Sequence, residues 1–443
     1  MIKKKFGMIS LGCDKNRVDG ERLLGEVKAH GCEITDDPSE AEILIVNTCA
    51  FLNAARKEAI ETVLECNGYR SGKLEKLVVS GCLPEKYVDE LFAPLTEADV
   101  FLGINDANVL FEALERSYRG ERVNGVRSCQ NPVPATRVLT TVPHLAYLKI
   151  ADGCANHCTY CLIPKIRGKY RSYPMEDLVE EAKGLGQIDE LILVAQDTTR
   201  YGIDLYGNNQ FVNLIKKISK LDNICHIRLL YCYPEMISEE LIEEIKRNKK
   251  VLHYLDIPLQ HSEDRILKRM GRRGTRQSYL SLFERLRKKI PDLAIRTTFI
   301  SGFPSEKEEE HVALKRFLGE ANLTNCGFFA YSREPDTPAY GMAEQVHHAT
   351  KGRRVRELYA VQAEISRTYL QAYVGKTLEV VCDGIDYEKS CFVGRAFFQA
   401  PEIDGVVYFT APRAETGKRY QIVVDSADEY DLYGHTEESY ELT

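Results

Sequence analysis

Short apolar runs alternate with longer amphipathic stretches through the first quarter of the chain. The runs rich in Ile, Val and Leu are residues 6–11, 43–46 and 77–79. The stretches with helical periodicity that follow them are residues 17–30, 54–66 and 85–92. Alternation of strands and helices is typical of a parallel sheet covered by helices, and we expect this arrangement over residues 1–128.

A proline-containing segment separates this region from a second βα pattern. Residues 129–143 contain three prolines and predict a linker. Within residues 144–372, strands are predicted at 146–150, 191–194, 227–231, 254–257, 295–300 and 327–331. Helices are predicted at 175–184, 238–247, 307–318 and 349–373. Six βα units without a seventh or eighth predict a partial, open (β/α)6 barrel.

The last part of the chain changes to short β-type runs. These runs are residues 378–382, 391–394, 406–410 and 420–424. Turn signals such as Asp404-Gly405 and Thr416-Gly417 lie around them. Residues 373–443 therefore predict a small antiparallel β-barrel. The predicted fold class is α/β, with a parallel βα domain, a partial barrel and this terminal domain.

Composition narrows the class of protein. The chain has 443 residues, of which 44% are hydrophobic, and this excludes an intrinsically disordered protein. A run of about 18 apolar residues is absent, so neither a transmembrane helix nor a membrane partner is expected. The apolar stretch near the N-terminus is shorter than the about 7–15 residues of a signal peptide, so we expect a cytoplasmic protein. In a reducing compartment, 14 cysteines indicate metal ligands or catalytic groups rather than disulfides.

Three cysteines lie in one glycine-led loop directly after a predicted strand. They are Cys154, Cys158 and Cys161, separated by three and two residues. Thiolates are preferred ligands of cubane iron–sulfur clusters, and three of them leave one iron open for chemistry. The alternatives are a zinc site, with His157 as a weak fourth ligand, and three packed core cysteines.

A second set of cysteines is spread over the N-terminal region. Cys13, Cys49 and Cys82 each follow a predicted strand, at intervals of 36 and 33 residues. The carboxyl ends of parallel strands meet at one sheet edge, near helix N-termini that favour thiolates. Gly12 and Gly81 are expected to let the backbone approach a bulky cluster. The sequence predicts a second metal site, and the alternative is three ordinary buried cysteines.

The spacing of the loop cysteines, with Tyr160 immediately before the last, resembles the radical S-adenosylmethionine (SAM) superfamily. The resemblance implies a partial barrel and a 4Fe–4S cluster whose open iron binds SAM. It also implies cleavage of SAM to a 5′-deoxyadenosyl radical, with one electron from an external donor such as a flavodoxin. In such enzymes the cofactors carry the difficult chemistry and the protein positions them.

Over nearly its full length the chain resembles the methylthiotransferase family. The resemblance implies two 4Fe–4S clusters and a C-terminal TRAM domain. It implies that C–H is replaced by C–SCH3, with a radical made at the Cys154, Cys158 and Cys161 cluster. Sulfur would come from or through the auxiliary cluster held by the other three cysteines, and a second SAM would supply the methyl group.

Four stretches resemble the RimO-type group of that family. They are residues 9–19 (ISLGCDKNRVD), 196–204 (QDTTRYGID), 254–261 (YLDIPLQH) and 400–405 (APEIDG). The likeness implies a substrate aspartate, modified at its β-carbon, in small-subunit ribosomal protein twelve. Gln399 departs from the acidic residue expected before the last stretch. The alternatives are the sister activity on tRNA adenosine and a non-catalytic iron–sulfur redox protein.

The distribution of charge bears on the choice of substrate. Residues 372–443 contain six Lys and Arg against 14 Asp and Glu, a net charge of −8. A domain that binds RNA phosphates should present basic side chains, so tRNA is disfavoured. An acidic barrel instead favours a basic ribosomal protein, and the alternative is that the acidity only aids solubility.

Five further residues are candidates for contact with SAM. Tyr160 lies in the cysteine loop, and barrel enzymes place their functional residues at the ends of strands. The candidates are Tyr160, Gln196, Gln260, Thr298 and Gly302. Each strand-end residue could equally have a turn or capping role.

Overall fold

The first domain is a parallel α/β sheet. The computed structural model describes residues 2–127 and 136–437. The six strands are β1 Lys5–Ser10, β2 Glu33–Thr35, β3 Ile43–Thr48, β4 Lys76–Gly81, β5 Val100–Leu102 and β6 Val123–Asn124. The helices are α1 Asp14–Ala29, α2 Asn53–Cys66, α3 Cys82–Leu91 and α4 Leu110–Tyr118. The strands are all parallel in the order β2-β1-β3-β4-β5-β6.

The three predicted strands of this domain are β1, β3 and β4, the neighbours at the middle of the sheet. The sequence analysis missed β2, β5 and β6. Each of these strands has only two or three residues, and only β5 is entirely apolar. The predicted helices begin and end within a few residues of α1, α2 and α3.

The predicted linker lies only in part within the described residues, because residues 129–135 are outside them. The described part packs against α1. The carboxylate of Glu21 accepts hydrogen bonds from the backbone N and Oγ1 of Thr140, at 2.9 and 3.0 Å. It also pairs with Arg137, and both side chains are almost completely buried. This stretch therefore anchors the first domain to the second.

The second domain is an open half-barrel. Its strands are β7 Leu145–Lys149, β8 Ala151–Asp152, β9 Arg171–Ser172, β10 Ile188–Val194, β11 Ile224–Leu229, β12 Val251–Asp256, β13 Ala294–Ser301 and β14 Asn325–Ala330. Six of them form a parallel sheet in the order β14-β13-β12-β11-β10-β7, and β8 and β9 form a small antiparallel pair. The six predicted strands and the open partial barrel are confirmed.

Nine α-helices are described in this domain. They are α5 Ile163–Ile166, α6 Met175–Gly184, α7 Ile203–Tyr206, α8 Phe211–Ile218, α9 Glu239–Arg247, α10 Asp264–Arg269, α11 Arg276–Lys289, α12 Glu308–Ala321 and α13 His348–Gln371. The longer ones cover the sheet, and α5 packs against α3 of the first domain. In α9, the Ser238 side chain accepts a hydrogen bond from the Leu241 N–H and caps the helix. Leu241, Ile242 and Ile245 form its buried face. No helix within the described residues is both long and apolar enough to cross a membrane.

The third domain is a closed five-stranded barrel. Its strands are β15 Thr377–Asp386, β16 Cys391–Arg395, β17 Val407–Thr410, β18 Arg419–Ala427 and β19 Leu432–Thr436. The predicted small barrel is confirmed, with one correction. The sequence analysis missed β19, which pairs in parallel with β17, so the barrel is not antiparallel throughout. Its polar Gly434, His435 and Thr436 lack the apolar run that marks the other strands.

Buried ion pairs hold the third domain on the half-barrel. Glu190 of β10 accepts hydrogen bonds from Arg228 at 2.5 Å and from Arg395 of β16 at 2.8 Å. All three side chains are at most 3% exposed. Although burial opposes ionisation, the two arginines hold the pKa of Glu190 well below its usual range. The two domains therefore share one fully desolvated charge cluster.

We predict that Glu190→Gln lowers the free energy of unfolding by about 3–5 kcal/mol, because it leaves buried Arg228 without its counter-charge and Arg395 with Asp383 alone. The difference in unfolding free energy should shrink in acid. The ionised Glu190 carboxylate stabilises the fold fully above about pH 4.3, the usual pKa of a glutamate, and this stabilisation is lost as the pH falls through the lowered pKa of the folded state. Denaturant unfolding of the full chain measures both effects. Glu240→Gln, which breaks the exposed pair with Lys216, is the control and should change stability by less than about 0.5 kcal/mol. Equal losses in the two variants would contradict the prediction.

Candidate functional site

The predicted cysteine loop leaves the half-barrel at the end of β7. The β8–β9 pair closes its base, and α5 begins two residues after the last cysteine. Cys154 and Cys158 are buried, and Cys161 is half-buried. Backbone N–H groups point at two of the sulfurs: that of Asn156 lies 3.4 Å from Cys154 Sγ, and that of Ile163 lies 3.4 Å from Cys161 Sγ. Such donors stabilise thiolates.

The three loop thiols lie close enough to influence one another's ionisation. Burial raises the pKa of Cys161, and the charges of Cys158 and Cys154 raise it further. Burial likewise raises the pKa of Cys154, with added contributions from Asp197 and Cys158. Thiolates crowded in this way are stabilised by binding a common cation. The arrangement fits a group that accepts three thiolates from one side.

Two segments outside the cysteine loop, around Met270 and Ala339, hold its backbone in place. The Thr159 N–H donates to the Met270 carbonyl at 2.9 Å, and the Thr159 carbonyl accepts from the Ala339 N–H at 2.9 Å. Gly271 has a φ of +73°, and a Cβ there would lie 2.6 Å from the His157 carbonyl oxygen. The backbone between the cysteines is thus held in one conformation.

The second set of cysteines lies where the sheet topology predicts. Cys13 immediately precedes α1, Cys49 immediately follows β3, and Cys82 is the first residue of α3 after β4. Because β1, β3 and β4 are neighbours, the three residues share one edge of the sheet. Burial raises the pKa of Cys82 to about 12, Arg167 opposes this, and the charges of Cys13 and Cys49 raise it. These three thiols therefore also form one electrostatic group.

The glycines beside this set have a visible packing role. A Cβ on Gly12 would lie 1.7 Å from Asn16 Oδ1, and one on Gly81 would lie 2.7 Å from Asn47 Oδ1. Gly81 also has a φ of +96°. These glycines therefore make room for two asparagine side chains; that they also let the backbone approach a cluster stays a prediction. Asn47 donates to the Asn16 carbonyl at 2.8 Å and so ties α1 to β3.

No three His, Cys, Asp or Glu side chains in the described ranges are grouped closely enough to surround a single metal ion. In a cubane, by contrast, each thiolate binds a different iron, so the ligands stand further apart than those of one zinc ion. His157, the weak zinc ligand considered above, is exposed. A three-thiolate cluster is the group that the donor sets fit.

Four buried charges join the two cysteine sets. Arg167 donates to Asp19 at 3.1 Å and to Asp152 at 3.0 Å. Lys149 pairs with both carboxylates as well. The Arg167 guanidinium also donates to Cys82 Sγ at 3.4 Å. Although burial opposes it, the two cations hold the pKa of Asp152 well below its usual range. Sequence reasoning missed this network, because nothing local pairs Asp19, in the 9–19 stretch, with Arg167, 148 residues away.

Two of the five SAM candidates lie beside the cysteine loop. Gln196 Nε2 donates to Asp152 Oδ1 at 3.4 Å, and its buried Oε1 finds no hydrogen-bond donor among the described residues. Tyr160 is close to Cys158, whose charge, together with burial, raises the pKa of the phenol well above its usual value. A buried acceptor without a donor is what a polar ligand would satisfy.

The other three candidates have visible structural roles. The backbone of Gln260 bridges to β13: its N–H donates to the Thr298 carbonyl at 2.8 Å. The Gly302 N–H donates to the Glu306 carboxylate at 2.5 Å, and Gly302 has a φ of +77°, so this position shapes a turn. Thr298 Oγ1 accepts a 3.4 Å hydrogen bond from Arg296. Contact with SAM stays a prediction for all five candidates.

Asn156 is a further residue that sequence reasoning missed. Its Nδ2 contacts Cys154 Sγ at 3.5 Å and donates to the Asp197 carboxylate at 3.0 Å. Asp197 is fully buried at the end of β10. The asparagine therefore fixes the first loop cysteine relative to the barrel. The sequence did offer one indication of this role, because Asn156 lies between two of the loop cysteines, Cys154 and Cys158.

Comparisons with known proteins agree with this arrangement. The Radical SAM superfamily model matches residues 148–318, the model described as Uncharacterized protein family UPF0004 matches residues 5–103, and the TRAM domain model matches residues 374–436. The ribosomal protein uS12 methylthiotransferase RimO of Lachnoclostridium phytofermentans is 45% identical over 98% of this chain and 100% of its own length. The protein of the same name from Clostridium tetani is 46% identical over 98% of both chains.

The chain belongs to the RimO family of radical SAM methylthiotransferases. As a methylthiotransferase it is an enzyme, and the matches support SAM and iron–sulfur clusters as its cofactors. A cobalamin-dependent S-adenosylmethionine radical enzyme, OxsB, shares its fold with a TM-score of 0.52 at 12% identity. That likeness covers 81% of this methylthiotransferase and 56% of OxsB.

We predict that Gly81→Ala destabilises this methylthiotransferase by about 2–4 kcal/mol, because the new Cβ combines strained backbone with contacts that are too short. Since the residue adjoins Cys82, the variant should also retain less iron after anaerobic reconstitution. Gly319→Ala, in an open position on α12, is the control and should stabilise by about 0.5–1 kcal/mol. Melting and iron content of Gly81→Ala equal to those of the wild type would show that the tight packing is not required.

Proposed function

We propose that this enzyme inserts a methylthio group at the β-carbon of an aspartate in ribosomal protein uS12. The contact between Arg167 and Cys82 carries the proposal. It joins the end of the loop that holds one cysteine set to the strand edge that holds the other. A sulfur atom and a carbon radical produced at separate sites can meet only if those sites face a shared space.

Each cysteine set would hold one 4Fe–4S cluster. Cys154, Cys158 and Cys161 would hold the cluster that binds SAM, and Cys13, Cys49 and Cys82 would hold the auxiliary cluster. When bound, the cofactors supply the radical that removes a hydrogen atom, the sulfur atom, and the methyl group. The electron would come from an external one-electron donor such as a flavodoxin.

The protein's own contribution is to position these groups and exclude water. Asn156 and the Ile163 N–H orient two loop sulfurs. The Gln196 Oε1 atom offers a buried acceptor beside them, suited to an N–H donor such as the amino group of SAM. Lys149 and Arg167 neutralise two carboxylates where the first domain meets the half-barrel, so these four groups together carry no excess charge.

The three domains would divide the work. Residues 1–128 would hold the auxiliary cluster, residues 144–372 would make the radical, and residues 373–443 would bind the substrate protein, with 129–143 as the connection. Arg395 and Arg419 of the last domain turn towards the half-barrel, where they pair with Glu190 and Asp189. They therefore do not offset the acidity of its outer face, which suits a basic ribosomal protein better than tRNA.

Metal content tests the two-cluster part of the proposal. We expect about eight irons and eight sulfides per chain after anaerobic reconstitution, because each 4Fe–4S cluster contains four of each. Changing either cysteine set to alanine should reduce both counts to about four. Changing Cys66, Cys232 and Cys326 together is the matched control and should leave the counts unchanged. Four irons in the wild-type chain would contradict the proposal.

Product mass tests the substrate. Incubation of the reduced holoenzyme with SAM and uS12 should add the mass of one S–CH2 unit to a single aspartate of the protein. Replacing that aspartate by asparagine in uS12 is the control and should abolish the addition. A methylthio nucleoside in tRNA, with uS12 unchanged, would favour the sister activity on adenosine. An absence of SAM cleavage would favour a non-catalytic redox protein.

A further inference from the structure

Arg167 is almost completely buried where the first domain meets the half-barrel. It follows α5, six residues after Cys161, and therefore belongs to the loop that would hold the SAM-binding cluster. Its guanidinium contacts Asp19 on α1 of the first domain and Cys82 Sγ at 3.4 Å. No other arginine or lysine in the described ranges has a hydrogen bond to a cysteine sulfur. This side chain thus reaches a proposed ligand of the auxiliary cluster from the opposite domain.

The contact with sulfur is not needed to neutralise the guanidinium. Arg167 and Lys149 together carry two positive charges, and Asp19 and Asp152 carry two negative charges. The four groups are balanced without Cys82. A lysine has one nitrogen, whereas an arginine can bind carboxylates through one Nη and direct the other elsewhere. Here Nη1 binds both carboxylates and Nη2 faces the sulfur.

We infer that Arg167 is a positioning residue for the auxiliary cluster, whose guanidinium fixes the Cys82 thiolate and favours the reduced state of that cluster. The inference rests on the proposed function and deepens it. Hydrogen bonds to ligand sulfurs and nearby positive charge make it easier to add an electron to an anionic cluster. Arg167 would therefore give the auxiliary cluster a more positive reduction potential than it would have without this contact.

The test compares Arg167→Met, Arg167→Lys and Arg22→Met. The methionine removes the charge and the donors at similar length, and the lysine keeps the charge but lacks the planar fork. Arg22 is the matched control, because it is also buried between α1 and the half-barrel and pairs with Glu181 at 3.0 Å. It has no hydrogen bond to a cysteine sulfur. Arg22→Met thus removes an interdomain ion pair without touching the proposed cluster ligands.

Each variant is made in two full-length backgrounds, one retaining only Cys13, Cys49 and Cys82 and the other retaining only the loop cysteines. The readouts are iron content, thermal melting, and the midpoint potential from a redox titration followed by electron paramagnetic resonance. We expect Arg167→Met to shift the potential of the auxiliary cluster to more negative values. Arg167→Lys should lie between it and the wild type. The loop-cysteine cluster should shift less, and Arg22→Met should shift neither.

Loss of auxiliary iron in Arg167→Met, with iron retained in Arg22→Met at an equal or lower melting temperature, would also support the inference. An unchanged auxiliary potential in Arg167→Met, or an equal shift in Arg22→Met, would overturn it. If Arg167→Met does not fold, Arg167→Lys provides the test. A wild-type potential of the auxiliary cluster in Arg167→Lys would overturn the inference that the planar guanidinium raises that potential. Absence of iron from the auxiliary-only background of the unaltered chain would instead overturn the proposed function, and this inference with it.

Discussion

The buried charges of Asp19, Lys149, Asp152 and Arg167 set the relative position of the first two domains. Asp19 lies on the helix that begins directly after Cys13, whereas Asp152 and Arg167 lie on either side of the loop cysteines. Removing one member of a buried ion-pair network costs about 3–5 kcal/mol, because the remaining charges have no water to stabilise them. The network therefore penalises any arrangement in which the two cysteine sets separate.

The third domain is fixed by the same kind of interaction. Glu190, on the strand next to β7, binds arginines from both the half-barrel and the terminal barrel. Arg17 of α1 reaches Glu402 at 2.8 Å and connects the first domain to the third. A substrate protein held on the terminal barrel would thus meet an active site whose orientation the same framework determines.

Much of the fold was accessible from the sequence, and the reasons are local. The central strands are apolar runs, and the cysteines were found because spacing or topology places them together. The charge network was not accessible, since Lys149 and Arg167 meet Asp19 across 130 and 148 residues. The packing of Asn16 and Asn47 against Gly12 and Gly81 was also not accessible, because Asn16 and Asn47 are 31 residues apart. Likewise, the parallel pairing of β17 with β19 depends on how the barrel closes.

We propose two separate iron–sulfur clusters, one at each cysteine set, with Arg167 in contact with a ligand of the auxiliary cluster. Anomalous diffraction at the iron edge, from crystals of the anaerobically reconstituted full chain, tests it directly. The account predicts two separate iron peaks, one bounded by Cys154, Cys158 and Cys161 and the other by Cys13, Cys49 and Cys82. A single peak, or a second peak away from the edge shared by β1, β3 and β4, would contradict it.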